Sequence, residues 1–355
     1  VQPVLIYRVA VRREQTSWKS WSGVQSDDKA QEEARRIAGE LQSLCARADF
    51  AVEVLPVAVV TSAEEAEKIH SRAHDVVLVY PASGGGGTLR ACLAGKTPSL
   101  IFVRHESGPI YYWYEALSVQ YLATGEERPD TEAAPKPATV YDVVVDDYDE
   151  LLWRLRALYG VKNFVGSRIV ALGGPMGKYA PTAPEDARHR FGLEIIEVGY
   201  EVFEPRLQKA LADARLRALA EAWADKYLAL PKTALETERR FVVNAFLLSI
   251  VFKELMREHQ ASAFTINQCM STIMPMAQTT ACLTLSLLND EGLLAFCESD
   301  FVIIPAGILL RQLSGNPVFL HNSTFPHKGI VTCAHCTAPR RMDTAHYEPA
   351  RILTH

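Results

Sequence analysis

Acidic, imidazole and thiol groups follow apolar segments in the last quarter of the chain, where they suit metal binding or proton transfer. Cys297-Glu298-Ser299-Asp300 sets two carboxylates two residues apart directly after the apolar run Leu293 to Cys297. A carboxylate there can hold a hard cation or move a proton. Glu298 reads as ligand or base ahead of its bland alternative, capping the following helix. Asp300 falls in that helix's first turn, so stabilising the dipole comes first and touching substrate second. His321-Asn322 follows the apolar Pro317 to Leu320, giving His321 as metal ligand or catalytic imidazole and Asn322 as a substrate contact. Cys333-Ala334-His335-Cys336 puts two thiols and an imidazole within four residues. His335 reads as site-lining and metal-capable. Structural zinc ranks below ordinary packing, because it takes four ligands, usually from separated pairs. Cys336 is also considered as a nucleophile, with no partner readable.

These residues need strands and helices to aim them. Leu283 to Leu288 has the spacing of a helix, stopped by Asn289-Asp290-Glu291-Gly292, and Leu293 to Cys297 reads as a short buried strand. A helix from Phe301 to Leu313 ends at Ser314-Gly315-Asn316-Pro317, and Pro317 to Leu320 and Ile330 to Ala334 read as two more strands. Alternation along the last would send Cys333 and His335 to one face and Cys336 to the other. Carboxyl ends of neighbouring strands in open α/β sheets converge on one crevice. Glu298 and His321 are therefore expected to face one ion, with Gln268, after the strand Phe264 to Ile266, on the substrate. Met270, Met274 and Met276 read as core filling.

Helix, N-D-E-G, strand, C-E-S-D, apolar helix and L-S-G-N-P-V-F, in that order, resemble the middle of the L-fucose isomerase-like proteins. The resemblance is close from Cys269 to Phe319 and loose over the rest. It implies aldose–ketose isomerisation of an open-chain sugar through an enediol, with Glu298 as Mn2+ ligand and catalytic carboxylate. At the family's second carboxylate this chain has His321. That exchange shifts preference from Mn2+ or Mg2+ toward Zn2+, Fe2+ or Co2+. The resemblance further implies a third ligand, a histidine from a C-terminal barrel domain of which 319–355 would be the start. It also implies a homo-oligomer, trimer or hexamer, in which one subunit's N-terminal domain covers another's site.

Strand and helix alternate through the rest of the sequence. Val4 to Val11, Val52 to Val60, Asp75 to Tyr80 and Ser99 to Arg104 read as strands. The expected class is α/β, with two consecutive doubly wound parallel-sheet domains at 1–163 and 164–318. The run Pro81-Ala82-Ser83-Gly84-Gly85-Gly86-Gly87-Thr88 matches neither the dinucleotide nor the Walker pattern, so Ser83 and Gly84 are weighed as a substrate-facing loop against a flexible connection. Arg104 and Trp113, with neighbouring tyrosines, suit a sugar's hydroxyls and apolar face, against a core or subunit-interface role. Gly125 to Thr139 reads as an exposed linker. Gly173-Gly174-Pro175-Met176-Gly177-Lys178 is a second glycine-bearing loop at a strand end, and Ala210 to Trp223 and Glu236 to His259 read as long helices.

Composition removes some classes. A net charge of −5 and pI near 6.1 give no electrostatic reason to expect nucleic acid or an anionic membrane as partner. Seven cysteines, an odd number scattered over 355 residues, suit reduced thiols in a cytoplasmic protein. The expected function is a metal-dependent isomerase of a small sugar or sugar derivative. The alternatives are a metal-assisted carbohydrate lyase or aldolase and a non-catalytic sugar-binding protein.

Overall fold

Gln2–Ile6 and Val77–Pro81 bury every residue along their length, as central strands covered on both faces must. The computed structural model describes residues 1–9, 11, 14, 22–111, 118, 122, 138–322 and 324–354. It divides into the units Val1–Leu158 and Tyr159–His355. Both are α/β with parallel sheets.

In the first unit β1 (Gln2–Ile6), β2 (Ala58–Val60), β3 (Val77–Pro81), β4 (Ser99–Val103) and β5 (Val143–Val145) lie in the order β2-β1-β3-β4-β5, every pair parallel. The helices are α1 (Asp27–Arg47), α2 (Ala63–Glu67), α3 (Gly86–Leu93) and α4 (Tyr148–Phe164), the last crossing the division between units. Ser26 caps α1 by accepting from the Lys29 amide, and its inward stripe is Ala30, Glu33, Ile37, Leu41 and Leu44. Glu33 is a buried acid on an otherwise apolar stripe. Its partner is Arg104, just past β4, whose Nε donates to Glu33 Oε1 at 2.6 Å.

The sequence leaves Arg104 open between a sugar contact and a core or subunit-interface role. It is 0% exposed, paired with both Glu33 and Glu40 and bonded to Ser107, while the Tyr111 hydroxyl donates to Glu33 at 2.6 Å. Burial disfavours the guanidinium's charge, but Tyr111, Glu40, Tyr148 and Glu33 outweigh it and hold the group above its ordinary range. Two acids on α1 have drawn the cation inward. Trp113, the tyrosines at 112 and 114, and residues 125–137 lie outside the described residues.

The second unit holds β6 (Arg168–Leu172), β7 (Glu194–Val198), β8 (Thr233–Glu236), β9 (Ala263–Ile266), β10 (Leu294–Phe296) and β11 (Ala350–Leu353). Its main sheet runs β10-β9-β6-β7, all parallel, and β11 pairs with β8 in a separate two-stranded parallel sheet. The helices are α5 (Ala183–Phe191), α6 (Tyr200–Ala212), α7 (Ala214–Leu228), α8 (Arg239–Glu258), α9 (Met274–Ala277), α10 (Cys282–Asp290) and α11 (Ile304–Ser314). Side chains alternate across this sheet. Val170, Leu172, Phe264, Ile266 and Ala295 pack on α6, α8 and α10, with Phe252 stacked on Phe264 at 4.2 Å between ring centres. Ile169, Ala171, Ala263, Leu294 and Phe296 pack on α5 and α11. A Cβ on Gly307 would come within 2.6 Å of the Phe296 ring, so only glycine lets α11 approach so closely.

Several expected elements differ. The strand read at Val52 to Val60 is paired only at Ala58–Val60, and β1 ends at Ile6. The helix read from Ala210 to Trp223 is two helices, because the Asp213 carboxylate accepts from the amides of Arg215 and Leu216 and starts α7. No strand forms at 317–320 or 330–334, where one bridge joins His327 and Ile330. Residues 319–355 fall within the second unit. Among the described residues no helix is long and apolar enough to cross a membrane.

Replacing Arg104 with Met removes the buried cation from Glu33, leaving Tyr111 and the half-exposed Arg36 at 3.4 Å as its partners, and unfolding in urea should report a loss of about 3 kcal/mol. Adding Glu33→Gln should recover part of it.

Candidate functional site

The carboxyl edge of the second unit's sheet gathers three loops. The first leaves β6 through Gly173 and Gly174, at φ +78° and +86°, where a residue with a Cβ would be strained. The second leaves β9 at Asn267 and Gln268, and the third leaves β10 at Cys297, Glu298 and Ser299. The third depends on a side chain on α10. Asn289, 0% exposed, donates from Nδ2 to the Ala295 carbonyl at 2.8 Å and accepts from the Ala295 amide at 2.9 Å. It thereby takes the outer edge of β10, which a further strand would need. This explains why Pro317 to Leu320 packs Val318 and Leu320 into the core without joining the sheet.

Beyond β10 the backbone turns through two left-handed residues, Glu298 at φ 66° and Ser299 at φ 51°. Neither is glycine, so each costs roughly 1–2 kcal/mol and needs surrounding structure to hold it. The β6 loop provides it. Met176 donates its amide to the Ser299 carbonyl at 3.0 Å, Phe301 donates back to the Met176 carbonyl at 2.8 Å, and the Lys178 amide donates to Asp300 Oδ1 at 3.1 Å. Asp300 Oδ1 also accepts from the Val302 amide at 3.1 Å. Asp300 is buried as a loop staple, and the first-turn role read from the sequence is not met, because α11 begins only at Ile304 and has no acidic residue in its first turn. Ser299 is buried too, its hydroxyl without a hydrogen-bond partner among the described residues.

This turn presents the Glu298 carboxylate with Lys178 Nζ on Oε2 and His335 Nε2 4.0 Å from Oε1. The hydrogen bond from Lys178 to Glu298 holds the ammonium above its ordinary pKa. His335 is largely buried, and its Nδ1 lies 2.8 Å from Thr337 Oγ1 and 3.4 Å from the Thr337 amide. An amide donating to Nδ1 assigns the neutral ring's proton to Nε2, which faces Glu298. A carboxylate, an ammonium and an imidazole N–H thus meet at one point.

No described contact brings the other expected residues to that point. Gln268 sits at the β9 edge in a left-handed conformation, φ 56°, its Oε1 accepting from Thr272 Oγ1 at 3.2 Å. His321 turns its Nδ1 to the Asn322 carbonyl at 2.8 Å. No described contact joins either residue to Glu298, and Asn322 is exposed. Ser83 and Gly84 belong to the first unit, at the carboxyl end of β3. There the Ser83 hydroxyl donates to the Val24 carbonyl at 2.8 Å and accepts from the Arg8 amide at 3.0 Å, stapling loops together. Cys333 and Cys336 are both exposed, and Cys336, weighed as a nucleophile, has its thiol held above the ordinary range chiefly by its hydrogen bond with Cys282. A protonated thiol is a poor nucleophile.

Among the described residues no three His, Cys, Asp or Glu side chains are set to hold a metal ion. Glu298 and His335 offer one oxygen and one nitrogen, whereas a hard cation such as Mn2+ or Mg2+ takes about six ligands, mostly oxygen. As arranged, these side chains do not make that site. Sequence reading missed Lys178, although its glycine-bearing loop marked a strand end, and missed Asn289, whose only sequence signal was a helix-stopping turn.

No protein-family model matches this chain, and no curated protein matches it significantly.

Asn289→Ala should leave both Ala295 groups unpaired, at about 1–3 kcal/mol each in urea unfolding. The Glu298 partner raises the Lys178 pKa, so this pair's stabilisation is full below the unfolded lysine value near pH 10 and is lost as pH rises through the folded one. Melting temperatures between about pH 9 and 11 should fall more steeply in the wild type than in Lys178→Met.

Proposed function

We propose that the second unit carries the catalytic site of a ketol isomerase acting on an open-chain sugar or sugar derivative through an enediol. The observation that carries this reading is Glu298 set between Lys178 and His335 on a strained, backbone-locked turn at the carboxyl edge of a parallel sheet. Such edges are where ligands of open α/β proteins bind. Moving a proton between adjacent carbons needs a carboxylate beside the carbon and donors on the neighbouring oxygens. Glu298 takes the proton from the carbon next to the carbonyl and returns it to the adjacent carbon. The Lys178 ammonium and the His335 Nε2–H, released from Glu298 as substrate enters, donate to the two oxygens and stabilise charge on the enediolate.

A Mn2+ ion, with Zn2+, Fe2+, Co2+ or Mg2+ as substitutes, belongs to the isomerase reading through the resemblance. Its further ligands would have to come from outside the side chains gathered here, and no step above passes through it. A homo-oligomer in the cytosol accompanies the same reading, to which seven free cysteines lend support.

The test is deuterium incorporation next to the carbonyl when open-chain sugars are incubated with the protein in D2O, with and without added Mn2+. Glu298→Gln should lower the exchange rate by about 10²–10⁴ and Lys178→Met by a smaller factor. Exchange that survives Glu298→Gln unchanged would sink this assignment, and carbon–carbon cleavage products would move the protein to the lyases.

A further inference from the structure

A cavity of about 330 Å³ lies elsewhere in the second unit, at the N-terminus of α10, with Thr279, Thr280, Cys282 and Leu283 in its wall. Among the described residues that wall carries two arginines, Arg340 and Arg351, and no carboxylate. Arg351 is neutralised by a two-pronged pair with Glu236 at 2.8 and 2.7 Å. Arg340 is not. It is 4% exposed, and its bonds go to uncharged oxygens: Nε to the Glu348 carbonyl at 2.8 Å, Nη2 to Thr233 Oγ1 at 3.0 Å and to the Pro231 carbonyl at 3.4 Å. Its Nη1 is buried with no hydrogen-bond partner among the described residues. The nearby acid, Asp290, has its Oδ1 on the Arg341 amide at 2.7 Å and its Oδ2 buried without a hydrogen-bond partner among the described residues; burial disfavours its ionised form and the Arg340 charge favours it, but no ion pair within 4.0 Å joins the two.

A buried guanidinium without a committed counter-ion is costly, and an unpaired N–H adds to that cost. The helix end beside it has the same polarity. α10 starts at Cys282 with Ala281 as its N-cap, which has no side chain able to cap it, so the positive end of the helix dipole meets the cavity without an acceptor from its own N-cap.

We propose that this cavity binds a small oxyanion, a phosphate or a carboxylate, between the first turn of α10 and Arg340. The anion would accept where Ala281 offers no side-chain cap and would sit against a guanidinium that no carboxylate pairs with among the described residues. Thr279 and Thr280 offer hydroxyls from the same wall. The proposal is independent of the Glu298 reading, although Cys336 in the wall immediately follows His335 in the chain.

Isothermal titration of the full chain with inorganic phosphate, at fixed chloride, tests it. The wild type should bind one phosphate with Kd of about 1 mM or tighter. Arg340→Gln should weaken binding at least about tenfold, and so should Thr280→Asp, which sets a carboxylate where the anion would sit while favouring the helix start. If Arg340→Gln fails to fold, Thr280→Asp alone decides, with circular dichroism to show that it is folded. Sulfate should displace phosphate. Displacement by acetate as well assigns a carboxylate-compatible site, and failure of acetate assigns a tetrahedral dianion. Absence of saturable binding up to about 20 mM in the wild type, or equal affinity in a folded Thr280→Asp, overturns the proposal.

Discussion

The pairing of Asn289 with both backbone groups of Ala295 is the contact on which the candidate site depends. β10 has only three residues and pairs with β9 on one side alone. Asn289 supplies the missing neighbour, closing the sheet edge with a carboxamide in place of a strand. The turn beyond β10 is held in its place by the β6 loop, so two left-handed residues persist without glycine. The carboxylate of Glu298 is therefore aimed by hydrogen bonds that run from α10 through β10 to Met176. Strain stored in such a turn is common where chemistry happens, because the surrounding structure must over-determine it.

The two units solve the problem of charge differently. In the first, Arg104 and Glu33 are enclosed and paired, with Glu40 joining them from a partly exposed position. In the second, Lys178 and Glu298 meet while each keeps about a third of its side chain exposed, so both remain open to solvent. Arg340 is the intermediate case, enclosed like Arg104 but left one acceptor short.

Fold class was legible because parallel strands leave long apolar runs and helices leave periodic ones, and both survive in Val77 to Tyr80 and in α8. The carboxyl-edge placement of Glu298 and Gln268 came from the same pattern. Local sequence misled where the outcome turned on long-range partners. Arg104 reads as a strand-end cation until two acids on α1, distant in sequence, enclose it. Pro317 to Leu320 has a strand's alternation, but Asn289 had already taken the edge it needed. His335 was placed near the site through its type, whereas its pairing with Glu298, and the arrival of Lys178, depend on loops whose paths no spacing rule records.

The most direct measurement is a crystal structure of the protein soaked with a sugar hydroxamate, a stable mimic of the enediolate. Density is expected at the carboxyl edge of β10, β9 and β6, with Glu298 against the mimic's carbon chain and Lys178 and His335 on its two oxygens. Density seated elsewhere, with the Lys178–Glu298 pair intact beneath it, would contradict a catalytic role for that pair.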